Sequence, residues 1–513
     1  MPPKAGRRLA PGQIAEELFC LDPDRDERAP QLCAETLLTL AQNGYQAPAE
    51  ASDLRSPKRQ RFAVRSLALG ENFLGGRDDG RAGDDKTTPA EYGATLAAGE
   101  QVRGSAHLAL AQSTLQGLVD PATQRVQKGA WLLRPFHESL LWYDARRPGP
   151  NSPEYSVRKV HMRGSGITLA RLLVDPADAE AAALGRRAVA AIRDALTAAS
   201  PLADISDKLE SAPIGASYPK TPILENDERE AWEKGTDPRL AGLAGRLCRH
   251  AEGVMTQGGA SGPARLWQLR TVLALDLAMH ALQTAWEVTD TAPADRFLLL
   301  SFGGIPRNAD PVRQRSEDSY RRARIRLSEA TVRTLARRMR ELDDEHVVDW
   351  ASEFEPRSGL SNSGDESIST QLSKLRRPAA GEDYLRLARS SVESANYGRA
   401  EDGFRVLLES VGLLAGTRYR YLTAAPDLLA ALVGALSATM PIPSRDFTAV
   451  RQEWGFVVNQ ESAADTALGT QLDGAGLERN ARRAEKLMSD AGLALGLSDR
   501  TTMVGERAAR GRS

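Results

Sequence analysis

The sequence predicts a mainly α-helical, multidomain protein built around a helical bundle core. Apolar residues recur at the three- and four-residue spacing of a helix through much of the chain. A chain of 513 residues is too long to enclose one hydrophobic core, so several domains are expected. The composition, 41% hydrophobic and 26% charged, is typical of a globular protein rather than a disordered one.

The bulk properties of the chain exclude several classes of protein. A formal net charge of −1 gives no global field for nucleic acid or a membrane, so any charged partner must be bound by a local patch. Cys20, Cys33 and Cys248 form no CxxC motif and no metal-ligand spacing, which indicates a reducing compartment. The first residues lack the apolar stretch of a signal peptide, and no run approaches the length of a membrane span. We therefore expect a cytoplasmic protein without a membrane partner.

Residues 1–60 are predicted to form an N-terminal helical segment. Two short helices are expected there, Ile14–Cys20 and Pro30–Asn43, the second with leucines spaced for packing on one side. A flexible loop is predicted over 61–89, because Gly75–Pro89 contains glycine, aspartate and lysine but no large apolar residue.

The next segment, 90–235, is predicted to be an α+β region with a β-hairpin near 155–174. Tyr155–Met162 alternates apolar and polar residues, as a half-buried strand does. Gly164-Ser165-Gly166 is a plausible turn that leads into a second strand, Ile167–Val174. An alanine-rich helix follows, from Asp175-Pro176 to about Ala199, and a proline at its first turn is favourable. Residues 200–235 are a connection and a candidate domain boundary.

Residues 236–350 are predicted to form a helical bundle with an arginine-rich helix. The helix expected at 263–288 is apolar almost all round, which is typical of a central bundle helix. A polar, serine-rich linker is predicted at 351–381. The last segment, 382–513, is predicted to contain a helical hairpin followed by a small C-terminal domain.

No complete catalytic or metal-binding motif is present, so we expect no enzyme, no cofactor and no metal. The nearest phosphate-binding loop, Gly80–Thr87, has Asp85 where a glycine must let backbone amides approach the phosphate. Gly164–Gly166 is not the GxSxG elbow of a serine hydrolase. Asp276 and His280 share a helix face at i and i+4, and they fit either a dispersed active site or a self-satisfied buried pair.

The segment Arg307–Arg340 is strongly basic. It holds eleven arginines and no lysine against four acidic residues, a local balance of +7. Arginine favours bidentate contacts with phosphate or carboxylate, so one interpretation is contact with a nucleic-acid backbone. The other is a helix face paired with acids elsewhere in this chain or on a partner subunit. The residues expected to contact phosphate are Arg321, Arg322, Arg324 and Arg326.

The C-terminal region has the element order of a winged helix-turn-helix domain. The predicted elements are two helices, Pro426–Ser437 and Arg445–Trp454, a strand Gly455–Val458, a third helix Leu477–Ala491, and a wing of Leu493–Leu497 and Arg500–Val504. In such domains the third helix enters the DNA major groove and the wing contacts the backbone, although many bind protein instead. The candidate contacts on the third helix are Arg479, Arg482, Arg483 and Lys486, and Glu478 and Glu485 weaken its field.

A family resemblance lies in the same region. The pattern DLLAALVGAL, MPIPSRDFTAVRQEWGFVV and LERNARRAEKLMSDAGLALGLSDRTTMV, with Asn480 in the third helix and a Gly492-to-Asp499 ending, resembles a C-terminal winged-helix region. That region is found in accessory proteins of multigene bacterial phage-defence systems, including methylation-associated and BREX-like ones. The resemblance covers about 80 of the 513 residues and carries no catalytic residue.

Together these observations predict a non-catalytic accessory component of a bacterial anti-phage defence or DNA-transaction complex. Its expected partners are the protein subunits of a multigene system, and the candidate nucleic acid is double-stranded DNA. One alternative is a protein–protein scaffold that does not touch DNA. A second is an enzyme with a dispersed site near Asp276 and His280.

Overall fold

The structure is a computed structural model, and it is mostly helical, as the sequence predicts. It describes residues 14, 17–21, 28–57, 97, 137–138, 141, 145–146, 156–157, 164–198, 226–258, 260–303, 307–344, 381–393, 400–437, 442–443, 447–498 and 501–504. The loop predicted at 61–89 and the linker predicted at 351–381, except for its last residue, lie outside the described residues. Within the described part, no helix combines the length and apolar character needed to cross a membrane.

The chain divides into two compact units. One comprises Arg28–Leu273, and the other comprises Met1–Glu27 together with Ala274–Ser513. The helices of the first unit are α1 (Ala29–Gln42), α2 (Ser165–Val174), α3 (Ala179–Leu196), α4 (Asn226–Lys234), α5 (Ala241–Thr256) and the first part of α6 (Gly262–Val288). Its strands β1 (Ala145–Arg146) and β2 (Ser156–Val157) pair antiparallel. Short 3-10 turns lie at Ala51–Asp53 and Pro238–Leu240.

The β-hairpin predicted near 155–174 is wrong. Ser156–Val157 is a strand, but it pairs with Ala145–Arg146, and the predicted second strand belongs to the helix α2. Ile167, Leu169, Leu172 and Leu173 are all buried in that helix. A short apolar run buried on several sides has no distinguishing periodicity, so the sequence pattern alone did not separate a helix from a strand.

Glu35 on α1 explains why a helix begins at this point. Its carboxylate accepts hydrogen bonds from the backbone N–H groups of Gly164, at 3.1 Å, and Gly166, at 2.8 Å. The first N–H groups of a helix have no partner within the helix, and an anion is favourable there. A Cβ on Gly166 would lie 2.6 Å from the Cβ of Glu35, so only glycine permits this approach. The glycines therefore belong to a helix N-terminus that receives a buried carboxylate.

The second unit is organised around the long helix α7 (Pro311–Asp344). Its other elements are α8 (Gly381–Glu393), α9 (Ala400–Ser410), α10 (Pro426–Ser437), α11 (Thr448–Trp454), α12 (Gln460–Ala463), α13 (Gly474–Asp490), and the strands β3 (Leu298–Leu299), β4 (Leu414–Ala415), β5 (Tyr421–Leu422), β6 (Ile442–Pro443), β7 (Phe456–Val457), β8 (Ala494–Ser498) and β9 (Thr501–Val504). Short 3-10 turns lie at Pro293–Asp295, Arg307–Ala309 and Ala467–Thr470. The strands β3 and β5 and the helices α8, α9 and α13 all pack on α7.

The last elements of the chain follow the sequence prediction closely. The helix α10 has the predicted bounds, α11 starts three residues later than predicted, and α13 starts three residues earlier. The Asp473 carboxylate caps α13 by accepting a hydrogen bond from the Ala475 N–H at 3.0 Å. Strands β8 and β9 form an antiparallel pair, and β6 joins the other side of β9, giving the strand order β6-β9-β8. The strand β7 pairs in parallel with β3 instead.

The buried Glu35 predicts a pH dependence of stability. Burial raises the pKa of this carboxyl from 4.5 to about 7, against the smaller opposing effect of the Gly166 and Gly164 N–H groups. Between pH 4.5 and 7 the folded chain then binds more protons than the unfolded chain, so the free energy of unfolding should fall by about 3 kcal/mol as pH rises through that window. Chemical denaturation across a pH series measures this slope.

The variant Glu35→Gln should flatten that part of the pH profile, because the side chain no longer titrates. Glu180→Gln, which changes an exposed carboxylate on α3, serves as the matched control and should keep the wild-type slope. A Glu35→Gln profile that still falls as steeply as the wild type between pH 4.5 and 7 would show that other groups cause the dependence.

Candidate nucleic-acid interface

The eight candidate contacts lie on two helices of the second unit. Arg321, Arg322, Arg324 and Arg326 lie on α7, and Arg479, Arg482, Arg483 and Lys486 lie on α13. The two helices contact one another. The two sets differ in their ion pairs and in their exposure to solvent, and these properties determine how readily each set can bind phosphate.

The arginines of α7 are engaged with neighbouring side chains. Arg321 forms an ion pair with Asp318 at 2.8 Å, and Arg326 forms one with Glu329 at 2.9 Å. Arg322 lies 3.7 Å from Asp295, and its guanidinium carbon is 5.0 Å from the centroid of the Phe297 ring. Arg324 has a buried Nε without a hydrogen-bond partner among the described residues. Since a turn of helix has 3.6 residues, these four side chains also point in different directions around α7.

Acidic residues outside the basic segment reduce its charge further. Arg333 pairs with Asp290 at 3.0 Å, Arg337 pairs with Glu17 at 3.2 Å, and Arg338 pairs with Glu341 at 3.2 Å. With Asp295, four carboxylates from outside the segment join the four within it, and the local balance falls from +7 to +3. This geometry supports the interpretation in which much of the basic segment is paired with acids elsewhere in the chain.

The cations of α13 lie on one side of the helix, with Arg483 at its edge, where Nη1 lies 3.3 Å from the position of a Cβ on Gly303. Arg479, Arg482, Arg483 and Lys486 stand at positions i, i+3, i+4 and i+7, which align on a helix. Three are exposed and Arg483 is half-buried. The opposite face is buried and consists of Leu477, Asn480, Ala481, Ala484 and Met488. We refer to the four cations as the α13 stripe.

The ion pairs of the α13 stripe are exposed and weak. Arg482 lies 3.2 Å from Glu478, with 65% and 44% of the side chains exposed, and Lys486 lies 3.1 Å from Asp490, with 74% and 60% exposed. Such surface pairs contribute about 0 to 1 kcal/mol, so a phosphate can replace the carboxylate at little cost. No ion pair of Arg479 occurs within the part of the chain that the structure describes.

Asn480 fixes the orientation of α13. Its Oδ1 accepts a hydrogen bond from the Phe302 N–H at 2.8 Å, and its Nδ2 donates to the carbonyl oxygens of Leu300, at 2.8 Å, and Val458, at 2.9 Å. Leu477, one turn earlier, packs in an apolar cluster with Leu299 and Val457. The helix is therefore held to both β3 and β7, and the α13 stripe faces away from them.

Asp276 and His280 have the surroundings of structural residues. Asp276 is fully buried, and its Oδ1 accepts a hydrogen bond from the Trp454 indole N–H at 2.8 Å. His280 is 7% exposed, and its Nε2 lies 3.0 Å from the carbonyl oxygen of Phe19. A carboxylate without exposed surface does not reach a substrate in this conformation, so the geometry lends no support to catalysis here.

The cysteine thiols are also buried. Burial raises the pKa of the Cys33 and Cys248 thiols to about 12 each, which keeps both in the unreactive protonated form at neutral pH. Among the described residues, no group of three or more histidine, cysteine or acidic side chains is arranged to hold a metal ion.

One basic feature was missed by the sequence analysis. The β4–β5 hairpin carries the run Arg418-Tyr419-Arg420-Tyr421, and Arg307 and Arg313 lie over two of its rings. Alternation of arginine and tyrosine shortly before the predicted helix Pro426–Ser437 was the available signal, since interleaved basic and aromatic residues are typical of single-stranded nucleic-acid binding.

No family model, curated protein or solved structure matches this chain. The resemblance of the C-terminal region to winged-helix accessory proteins of phage-defence systems therefore stays a prediction.

The role of Asn480 predicts a large loss of stability on its removal. Asn480→Ala leaves one N–H group and two carbonyl oxygens buried without their partner, so the free energy of unfolding should fall by about 3 to 5 kcal/mol. Urea denaturation followed by circular dichroism measures the change. Ser489→Ala, on the exposed side of the same helix, is the matched control and should change stability by less than about 0.5 kcal/mol. A loss below about 1 kcal/mol for Asn480→Ala would contradict the assigned role.

Proposed function

We propose that this protein is a non-catalytic accessory component of a bacterial anti-phage defence or DNA-transaction complex, and that it binds double-stranded DNA through α13. The observation that carries the proposal is the α13 stripe, four cations on the side of the helix opposite its buried face, three of them exposed. The elements α10, β6, α11, α13, β8 and β9 follow one another in the order expected of a winged helix, with β7 and α12 inserted between α11 and α13. The strand order β6-β9-β8 also agrees with that arrangement.

A winged-helix arrangement would use these elements in a defined way. The third helix, α13, would enter the major groove, and the β8–β9 pair would lie along the sugar–phosphate backbone. Each cation of the α13 stripe that neutralises a phosphate would release a condensed counterion, which gives affinity without sequence recognition. Arginine adds bidentate contacts to phosphate or to the guanine edge.

The arginines of α7 have a secondary role in this proposal. Arg322 and Arg326 are less than half exposed and each faces a carboxylate within 4 Å, so a phosphate would have to displace that acid first. Arg321 is 72% exposed, and its pair with Asp318 is as weak as those of the α13 stripe, so it can add one phosphate contact. Arg324 is half-buried, and its Nε is shielded from solvent. We therefore assign most of the DNA affinity to the α13 stripe.

The second candidate function is a protein–protein scaffold without DNA contact. The extensive pairing of α7 with acids favours it, because a fall of the local charge from +7 to +3 weakens the attraction of this helix for a polyanion. On α13 itself, Glu478, Glu485 and Asp490 leave an excess of only one positive charge. A scaffold would bind its partner protein through the same outward faces.

Salt dependence distinguishes the two functions. In fluorescence anisotropy with a fluorescein-labelled DNA duplex, the wild type should bind with a negative slope of log affinity against log salt concentration. The variant with Arg479, Arg482, Arg483 and Lys486 all changed to alanine should bind far more weakly, and its slope should be less steep by about 3. The variant with Arg321, Arg322, Arg324 and Arg326 changed to alanine should flatten the slope by about 1 or less.

A charge-matched control separates a local interface from a general effect of net charge. Changing the exposed residues Arg186, Arg187, Arg193 and Arg239 to alanine removes the same four charges from the other unit. This control should bind DNA like the wild type. Absence of duplex binding by the wild type at low salt would contradict the proposal and favour the scaffold, as would an equal loss in the control variant.

A further inference from the structure

We infer that the β4–β5 hairpin forms a second nucleic-acid site, distinct from the α13 stripe, that binds single-stranded nucleic acid by stacking bases on Tyr419. The site, called here the arginine–tyrosine surface, consists of Arg307, Arg313, Arg418, Tyr419 and Tyr421. It does not depend on whether α13 binds duplex DNA.

The exposed ring of Tyr419 is the centre of this surface. It is 46% exposed, one of three large apolar or aromatic side chains with so much exposure among the described residues. The guanidinium carbons of Arg307 and Arg418 lie 4.1 and 5.5 Å from its ring centroid. Beside it, the guanidinium carbon of Arg313 lies 4.2 Å from the centroid of the Tyr421 ring. Planar cations and aromatic rings therefore already form stacks, which a nucleobase can extend.

The surface has an excess of positive charge. Glu317 is the carboxylate that faces its arginines, at 2.8 Å from Arg307 and 3.8 Å from Arg313. Arg418 is exposed, and no carboxylate pairs with it within the described ranges. Three arginines and one acid leave a charge of +2 next to an exposed ring, which is complementary to a phosphate that follows a stacked base.

The hairpin that carries Tyr419 has a fixed base and a projecting end. Its two strands pair Leu414 with Leu422 and Ala415 with Tyr421. The Ser316 hydroxyl on α7 accepts a hydrogen bond from the Leu422 N–H at 2.8 Å and donates one to the Leu422 carbonyl oxygen at 3.1 Å. Gly416 turns the chain with a φ of +84°, and the four residues after the strand β4 are exposed. A fixed platform of this kind orders little chain on binding, which favours affinity.

The geometry selects an unpaired base over a base pair. In a duplex the faces of the bases are covered by their neighbours in the stack, so an exposed ring such as Tyr419 has no face to contact. In a single strand each base offers a free face, and stacking on an aromatic ring tolerates any sequence. An acidic peptide would satisfy the arginines but would leave the ring without a partner of matching shape.

Fluorescence anisotropy with labelled oligonucleotides tests the inference on the full-length protein. Single-stranded oligomers of about 12 nucleotides, one of thymidine and one of uridine, are the probes, and they distinguish DNA from RNA. Tyr419→Ala should weaken binding on the order of tenfold, because base stacking on the ring is lost. Tyr419→Phe keeps the ring and should bind within about twofold of the wild type. Arg418→Glu, which leaves the ring in place, should weaken binding and flatten its salt dependence.

Two controls separate this site from the α13 stripe and from unfolding. Arg386→Ala removes an exposed arginine on α8 and should leave binding of the single strand unchanged. The alanine variant of the α13 stripe should lose duplex binding only, and Tyr419→Ala should lose single-strand binding only. Because Tyr419 and Arg418 are exposed, their variants should keep the circular dichroism spectrum and thermal midpoint of the wild type.

Three results would overturn the inference. The first is no binding of either single strand by the wild type at low salt. The second is equal affinity of Tyr419→Ala and Tyr419→Phe. The third is a glutamate-rich peptide that displaces the oligonucleotide and is itself bound more weakly by Tyr419→Ala, which would identify the surface as a site for acidic protein segments.

Discussion

The amide of Asn480 holds together three segments of the second unit that are far apart in the sequence. Its hydrogen bonds to the main chain of Leu300, Phe302 and Val458 join α13 to the residues that follow β3 and β7, two strands of only two residues each. A pair of such short strands has too few backbone hydrogen bonds to be stable alone. The hydrogen bonds of the buried Asn480 side chain supplement them. The direction of the α13 stripe follows, because the face opposite Asn480 is the one left for solvent.

Two buried serines of α7 likewise form hydrogen bonds to the backbone of short strands. The Ser316 hydroxyl bonds both main-chain groups of Leu422, and the Ser319 hydroxyl accepts a hydrogen bond from the Leu299 N–H at 3.2 Å. Both serines are almost fully buried, and each satisfies backbone groups that the short strands would otherwise leave unpaired. The helix therefore has an inner face whose serine hydroxyls bind the backbone of short strands. Its arginines lie on the remaining faces, where they pair with acids of α7 itself and of neighbouring segments.

The sequence predicted local structure better than it predicted long-range partners. The bounds of α10 follow from local signals, a proline at its first turn and an unbroken apolar pattern. The helix at Ser165–Val174 was missed because its N-terminus depends on Glu35, 129 residues away from Gly164. The charge of the basic segment was overestimated for the same reason, since Glu17 lies 320 residues from Arg337. Neither partner can be found by spacing along the chain.

Arginine content alone therefore does not identify a nucleic-acid site in this protein. An arginine that faces a carboxylate in a partly desolvated setting has already lost part of its hydration and gained an anionic partner. Binding a phosphate would only replace that carboxylate, so the gain in binding free energy is small. An exposed cation on a fixed helix face, or a guanidinium stacked on an exposed ring, still has its binding capacity available. By this criterion the paired and partly buried arginines of α7 are poorly suited to bind phosphate. The exposed cations of the α13 stripe, and Arg418 beside the exposed Tyr419 ring, are better placed despite their smaller number.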